Sequence, residues 1–557
     1  MGDYYDLGTH SRPVTTTSPE AQLWFDRGLL WTYGFHHEEA VACFEKAAEA
    51  DPGCAMAYWG IAYALGPNYN KPWEAFDGDE LVRTVDRTHA AVERAHEAAA
   101  RATPVERALI EALRARYPQA EAAADCSVWN EPYANAMREV YRMAPGDPDI
   151  ATLHADALMN LTPWQLWDIT TGRPAEGART TEAKAVLDAA LATDAGAVHP
   201  GILHLYIHLM EMSPTPEQAL TVADRLRDLV PDAGHLRHMP SHLDVLCGDY
   251  RRVVAANSDA IAADEKYRRR AGAMNFYTLY RVHNHHFRIY GAMFLGQSRV
   301  ALDSAAELEA AVPEELLRVQ SPPMADWLEG FLAMRVHVLI RFGRWKEILD
   351  LPAPTDPELY AVTTAMRHYA RGVALSATGE VDRAEAEREL FRAAVGRVPE
   401  TRMLFNNTCH DILAIASAML DGELEYRRGD HDSAFAALER SIALDDNLPY
   451  DEPWGWMQPT RHAYGALLLE QGRVEEAEAV YRADLGLDDT LPRPLQHPGN
   501  VWALHGFHEC LLRTGKTGEA ALVASQLTLA TALADVPIRA SCFCRQEPAG
   551  AADGCCH

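Results

Sequence analysis

The chain has 557 residues and carries 51 Lys+Arg against 80 Asp+Glu, a formal charge of −29. A surface this acidic repels phosphate backbones and anionic lipid, which argues against nucleic acid and membrane surfaces as partners. No apolar run approaches the ~20 residues that span a bilayer, and MGDYYDLGTH has neither the basic nor the apolar part of a secretory signal, so a soluble cytoplasmic protein is expected.

Residues 1–18 read as an N-terminal extension. From 19 to 535 strand signals are nearly absent, and apolar residues recur at three and four spacing with Gly and Pro at regular stops. The segment 21–52, AQLWFDRGLLWTYGFHHEEAVACFEKAAEADP, spaces Trp24, Gly28, Trp31, Ala40, Phe44, Ala47 and Pro52 as large, small and terminating residues of a helical hairpin. Gly465, Gly472, Ala477 and Tyr481 repeat the pattern. On these residues the chain resembles tetratricopeptide-repeat proteins. The resemblance implies an all-α fold, a superhelix (α-solenoid) of about seven to ten helical hairpins, each burying its open face by stacking on the next. Within the array His36-His37-Glu38-Glu39 reads as a solvated first helical turn. Residues 64–80 and 127–175 break the rhythm with Pro, Trp and Asn, as capping insertions or as loops that line a pocket.

The densest chemistry lies between His199 and His286. His204 and His208 are four apart, as are His238 and His242, so each pair projects from one helical face. From 204 to 238 and from 208 to 242 the separation is 34 residues, one tetratricopeptide period, so stacked units carry a two-by-two array of imidazoles. His235 and His238 recur at a longer offset as His283 and His286. The resemblance places these positions on the concave face of the array. His199 and Pro240 read as helix starts. His337 reaches the same register in the following unit, while His462 and His505 read as isolated or packing residues.

Imidazoles gathered on one wall repel if protonated together, so a shared cation is the cheaper arrangement. The expected metal ligands are His204, His208, His238 and His242, with His235, His283 and His286 as further ligands or supports. An imidazole-rich set suits a transition metal, copper favoured, with zinc and iron also fitting. Glu211 and Tyr280 are the candidate proton-moving residues. Six cysteines lie in apolar helical text and read as small buried hydrophobes. The segment 536–557 forms a separate Cys-rich tail whose Cys542, Cys544, Cys555 and Cys556 either supply soft-metal thiolates or lie in a loose, redox-labile end. No phosphate-cradling loop, dinucleotide fingerprint, nucleophile elbow or His-Glu-x-x-His motif occurs. The leading expectation is a copper-favoured oxidoreductase acting on a small-molecule or peptidyl substrate in the groove. The alternatives are a non-catalytic repeat scaffold for a partner peptide, or a metal-binding or metal-delivery protein.

Overall fold

The computed structural model describes residues 4–546. Helices succeed one another along almost the whole of this span, and the extended pairing in named strands consists of two short antiparallel hairpins, Trp167–Asp168 with Arg173–Pro174 and Met403–Leu404 with Asn407–Thr408. Among the described residues no helix is long and apolar enough to cross a membrane. The chain divides into two compact units. The first takes Met1–Leu243, Ala256–Asn284 and Gln320–Pro323, and the second takes Asp244–Ala255, His285–Val319 and Met324–His557.

In the first unit the helices Pro19–Tyr33 and His37–Ala50 form a hairpin that packs on Ala55–Leu65. Ser18 caps the first helix by accepting from the Ala21 amide, and Pro19 fits the first turn, where no amide is needed. What sets the packing distance is one ring. A Cβ at Gly28 would come within 2.7 Å of the Phe44 ring, and one at Gly60 within 2.4 Å. Phe44 therefore wedges between the glycines of its own first helix and of the next, and both backbones approach closely only because no side chain intervenes.

The second unit uses the same device. Its hairpins pair Ala361–Ala377 with Val381–Val395, Cys409–Arg428 with His431–Asp446, Thr460–Glu470 with Val474–Asp484, and Val501–Arg513 with Thr517–Thr531. Tyr481 fills the space left by Gly465 and Gly506, where an added Cβ would lie 2.6 and 2.3 Å from its ring. Gly429 and Gly472 turn two of the hairpins with φ of 84° and 74°, a left-handed conformation that L side chains rarely adopt.

The structure departs from expectation at several places. The stretch 127–175 contains the helices Asn130–Met143 and Pro148–Met159, the second capped by Asp147, so only its last third is irregular. His36 is 1% exposed rather than solvated, because its ring stacks on Tyr277 at 3.7 Å and lies edge-on to Tyr267 at 4.2 Å. The tail is not loose as far as residue 546: Cys542 and Cys544 form a disulfide, Cys544 is buried in the core of the second unit, and the Ser541 hydroxyl donates to the His462 carbonyl at 2.7 Å. In that form neither sulfur is a thiolate ligand. Cys555 and Cys556 lie outside the described residues. Of the six remaining cysteines five are buried, and Cys247 is half-buried.

The glycine wedge has a direct test. Replacing Gly60 by Ala forces Phe44 aside and is expected to destabilise the protein by about 1–3 kcal/mol, and Phe44→Ala by about 3–5 kcal/mol. Thermal unfolding of the two variants checks this, and wild-type stability in Gly60→Ala would contradict the wedge.

Candidate metal centre

The helix Pro200–Glu211 is buried along its entire length, packed by Pro19–Tyr33, Pro148–Met159, Thr180–Leu191 and Leu220–Leu226. Its start is built from the sequence His-Pro. His199 Nδ1 accepts from the Ile202 amide at 3.2 Å, Pro200 follows without an amide, and His199 Nε2 donates to Asp149 Oδ1 at 2.9 Å. His204 and His208 face the same side one turn apart, and Glu211 ends the helix. His235 and His238 come from the short helix Gly234–His238, His242 from Pro240–Leu246, and His283 from Thr278–Phe294. All of these residues belong to the first unit.

The imidazoles gather as two groups of three, His204 with His208 and His235, and His238 with His242 and His283; within each group the candidate ligand atoms lie within 4.8 Å of one another. His208, Glu211 and His242 form a group that links them at the same spacing. His204, His208, His235, His238, His242 and Glu211 are all 0–2% exposed.

Hydrogen bonds fix the tautomers of four rings. His204 Nδ1 donates to the Tyr33 carbonyl at 2.6 Å. His238 Nδ1 donates to Asn257 Oδ1 at 2.7 Å, and the Asn257 amide nitrogen is turned to Ser241 Oγ at 3.0 Å. His208 Nδ1 donates to Glu211 Oε1 at 2.9 Å and His242 Nδ1 to Glu211 Oε2 at 2.7 Å. Carbonyl and carboxylate oxygens only accept, so in each neutral ring the proton sits on Nδ1 and the lone pair on Nε2. Those lone pairs point into the cluster. The Nε2 atoms of His238 and His242 are 2.6 Å apart, those of His204 and His235 are 3.2 Å apart, and His208 Nε2 has no hydrogen-bond partner among the described residues.

Burial holds the rings neutral. It lowers His204 to about 3 and His238 to about 4, and places His208, His235 and His242 well below the ordinary imidazole value, with neighbouring imidazoles adding to the depression in all but His238. Protons are therefore poor counterions for these lone pairs. Two imidazole nitrogens on one tetrahedral ion at about 2.0–2.1 Å stand about 3.3 Å apart, close to the His204–His235 spacing.

Aromatic rings close the cluster from outside. Phe35 lies 4.4 Å from His204 and stacks at 5.7 and 5.6 Å on His208 and His235, while Tyr69 and Trp164 lie 4.9 and 5.7 Å from His208. Phe35 and Trp164 have φ of 53° and 60°, so two side chains here are aimed from a strained left-handed backbone. The Asn68–Lys71 turn supplies Tyr69, and the irregular end of 127–175 supplies Trp164, so both insertions pack an aromatic ring on His208. A cavity of about 20 Å³, room for one water molecule, borders His204 and is also walled by Tyr63, Asn68 and Asp156.

Of the predicted residues, the structure brings together His204, His208, His235, His238, His242 and His283. Glu211 holds two of the rings by their Nδ1–H groups, a supporting position rather than a proton relay. Tyr280 sits edge-on to His235 at 5.0 Å, and burial raises its phenol far above the ordinary range, so it stays protonated. His286 is placed elsewhere, in the second unit, with Nε2 2.8 Å from Met457 Sδ and its ring against Phe331. His337 is likewise in the second unit, edge-on to Trp456 at 4.8 Å. His462 Nδ1 accepts from the buried Arg341 guanidinium at 3.0 Å, and its Nε2 donates to the buried Asp484 carboxylate at 2.9 Å. Sequence reasoning missed Phe35, Tyr69, Trp164, Asn257 and the Tyr33 carbonyl, none of which belongs to a residue-type motif. It also missed the His10–Asp149–His199 group, in which Tyr33 and Arg12 also bond to Asp149.

The tetratricopeptide-repeat family model matches residues 21–54, the hairpin built on Phe44. Beyond that segment the chain is an array of helical hairpins of the same general kind, Ala361–Ala377 with Val381–Val395 and Cys409–Arg428 with His431–Asp446 among them. No curated protein matches the sequence. Among solved structures, the human IFIT1 dimer with PPP-AAAA is similar at 14% identity over 76% of this chain and 72% of that one, with a TM-score of 0.28. Naa15/Naa10 bound to HypK-THB is similar at 12% identity over 92% and 70%, with a TM-score of 0.20. The P58(IPK) TPR domain is similar at 10% over 89% and 99%, also at 0.20. Scores this low leave the architecture to rest on the chain's own hairpins.

The buried neutral histidines set a pH dependence. Burial takes His36 and His337 from 6.5 to about 3, so below pH 6.5 the unfolded chain binds protons that the folded chain refuses. Stability is then full above pH 6.5 and is lost progressively as pH falls toward 3, at roughly 1.4 kcal/mol per pH unit for each such ring. Melting temperatures of chelator-treated protein are expected to fall steeply from pH 7 to pH 5, and an unchanged value would contradict neutral burial.

Proposed function

We propose that this protein is a tetratricopeptide-type scaffold that holds a transition metal in the histidine cluster of its first unit. One observation carries the reading: four buried rings have their Nδ1–H groups committed to carbonyl, amide or carboxylate oxygens, and their Nε2 lone pairs converge in the core. Lone pairs facing one another repel, and a cation shared among them removes that cost. The all-imidazole first set favours copper among the fitting ions, with zinc and iron next. With a redox ion bound, oxidoreductase chemistry on a small reactant would follow, and a cavity with room for about one water molecule borders His204.

Elemental analysis of protein purified without chelator is expected to find bound transition metal in wild type and its loss in His204→Ala/His238→Ala. Metal-free wild type that also takes up neither copper(II) nor zinc(II) at micromolar concentration would overturn the reading.

A second reading, partner docking without turnover, is favoured by a separate observation in the second unit. Leu522 and Leu529 stand two turns apart on the terminal helix Thr517–Thr531, 72% and 76% exposed. With a chain charge of −29, the fitting partner is a helix whose apolar face is flanked by Lys and Arg. Leu522→Glu/Leu529→Glu is expected to weaken binding of a basic amphipathic helical peptide at least tenfold, measured by fluorescence anisotropy, and equal binding would dismiss that surface.

A further inference from the structure

A single ion has too few coordination positions for this cluster. Tetrahedral sites take four ligands, and a site that keeps an open position takes three from the protein. Here six imidazoles offer nitrogens, and they fall into two sets of three rather than one set of four. The sets are adjacent: His208 lies 5.7 Å from His242 and His235 lies 5.8 Å from His238, ring centre to ring centre. Each set contains one of the close Nε2 pairs, His204 with His235 and His238 with His242.

Glu211 joins them. Its two oxygens accept from His208 and from His242, one ring of each set, at 2.9 and 2.7 Å. A carboxylate in this position orients the ring, raises the basicity of the opposite nitrogen, and contributes negative charge beside the cations. Glu211 does this for both sets at once, from one buried side chain at the end of the helix that supplies His204 and His208.

We propose that the cluster is a two-ion centre, in which His204, His208 and His235 hold one transition-metal ion, His238, His242 and His283 hold a second, and Glu211 is the positioning residue they share. The proposal rests on the metal-binding reading above and adds to it the number of ions, their separate ligand sets and the residue that couples them. Three protein ligands leave each ion a position for water or another small ligand, the arrangement that catalytic rather than structural sites keep.

The test is a copper(II) titration of the full chain, with bound metal counted by elemental analysis and each site followed by electron paramagnetic resonance. Wild type is expected to bind two equivalents. His204→Ala/His235→Ala and His242→Ala/His283→Ala are each expected to retain one, with distinct spectra. Glu211→Gln keeps all six imidazoles, but its amide nitrogen cannot accept from a second Nδ1–H. It is expected to weaken binding 10–100-fold and to alter the spectra of both sites, while circular dichroism shows the helices intact. Wild type that saturates at one equivalent, lost entirely in either double variant, would overturn the two-ion proposal and leave the metal reading standing. Wild type that binds neither copper(II) nor zinc(II) removes both. The wild-type stoichiometry decides the question even where a variant fails to fold.

Discussion

Close approach of helices without side chains between them is the constraint on which this structure depends. Phe44 lies where Gly28 and Gly60 leave room, and Tyr481 lies where Gly465 and Gly506 do. Each wedge ties a hairpin to its successor within its own unit, so that neighbouring hairpins stack. Dispersion contacts of one large ring with two bare backbones are many and short-ranged, which makes the spacing between units exacting. The histidines need such a frame, because rings drawn from several separate helices meet only if those helices are held at fixed distance and rotation.

The cluster also shows how a repeat can be turned from a groove into a core. The imidazole-bearing positions that the repeat register assigns to a concave face are 0–2% exposed for His204, His208, His235, His238 and His242. Phe35, Tyr69 and Trp164 cover His204, His208 and His235, two of these aromatics from left-handed backbone. Strain of this kind persists only where surrounding structure over-determines it, and here it places an aromatic surface on rings whose Nδ1–H groups are already occupied. Burial keeps the rings neutral, and the lone pairs remain directed at one another.

Much of the centre was legible because its signals are periodic. The 34-residue spacing of His204 with His238 and of His208 with His242 reports stacked equivalents, and the structure does bring those four together. Register misleads where a neighbouring helix changes partner. His286 follows His283 by three residues yet belongs to the second unit against Met457, since a helix presents different faces to different neighbours. Glu211 was legible as a nearby carboxylate but not as a bridge, because its second partner, His242, is 31 residues away. Residues 36–39 read as solvent-facing by charge and polarity, whereas His36 is enclosed by Tyr277 and Tyr267, which are more than 200 positions distant in the chain.

The amino-acid sequence alone determined the helical class, the hairpin period, the small and large residues that let hairpins stack, and the identity of the imidazoles, because each of these is a local or strictly periodic property. The tertiary structure decided which imidazoles come together, which nitrogen four of them turn inward, and that those four are buried. Those properties depend on contacts between distant segments: the Tyr33 carbonyl on His204, Asn257 on His238, Glu211 on two rings, and Phe35 and Trp164 across the face. No spacing encodes them, since they arise only when separate helices are brought to one point in space.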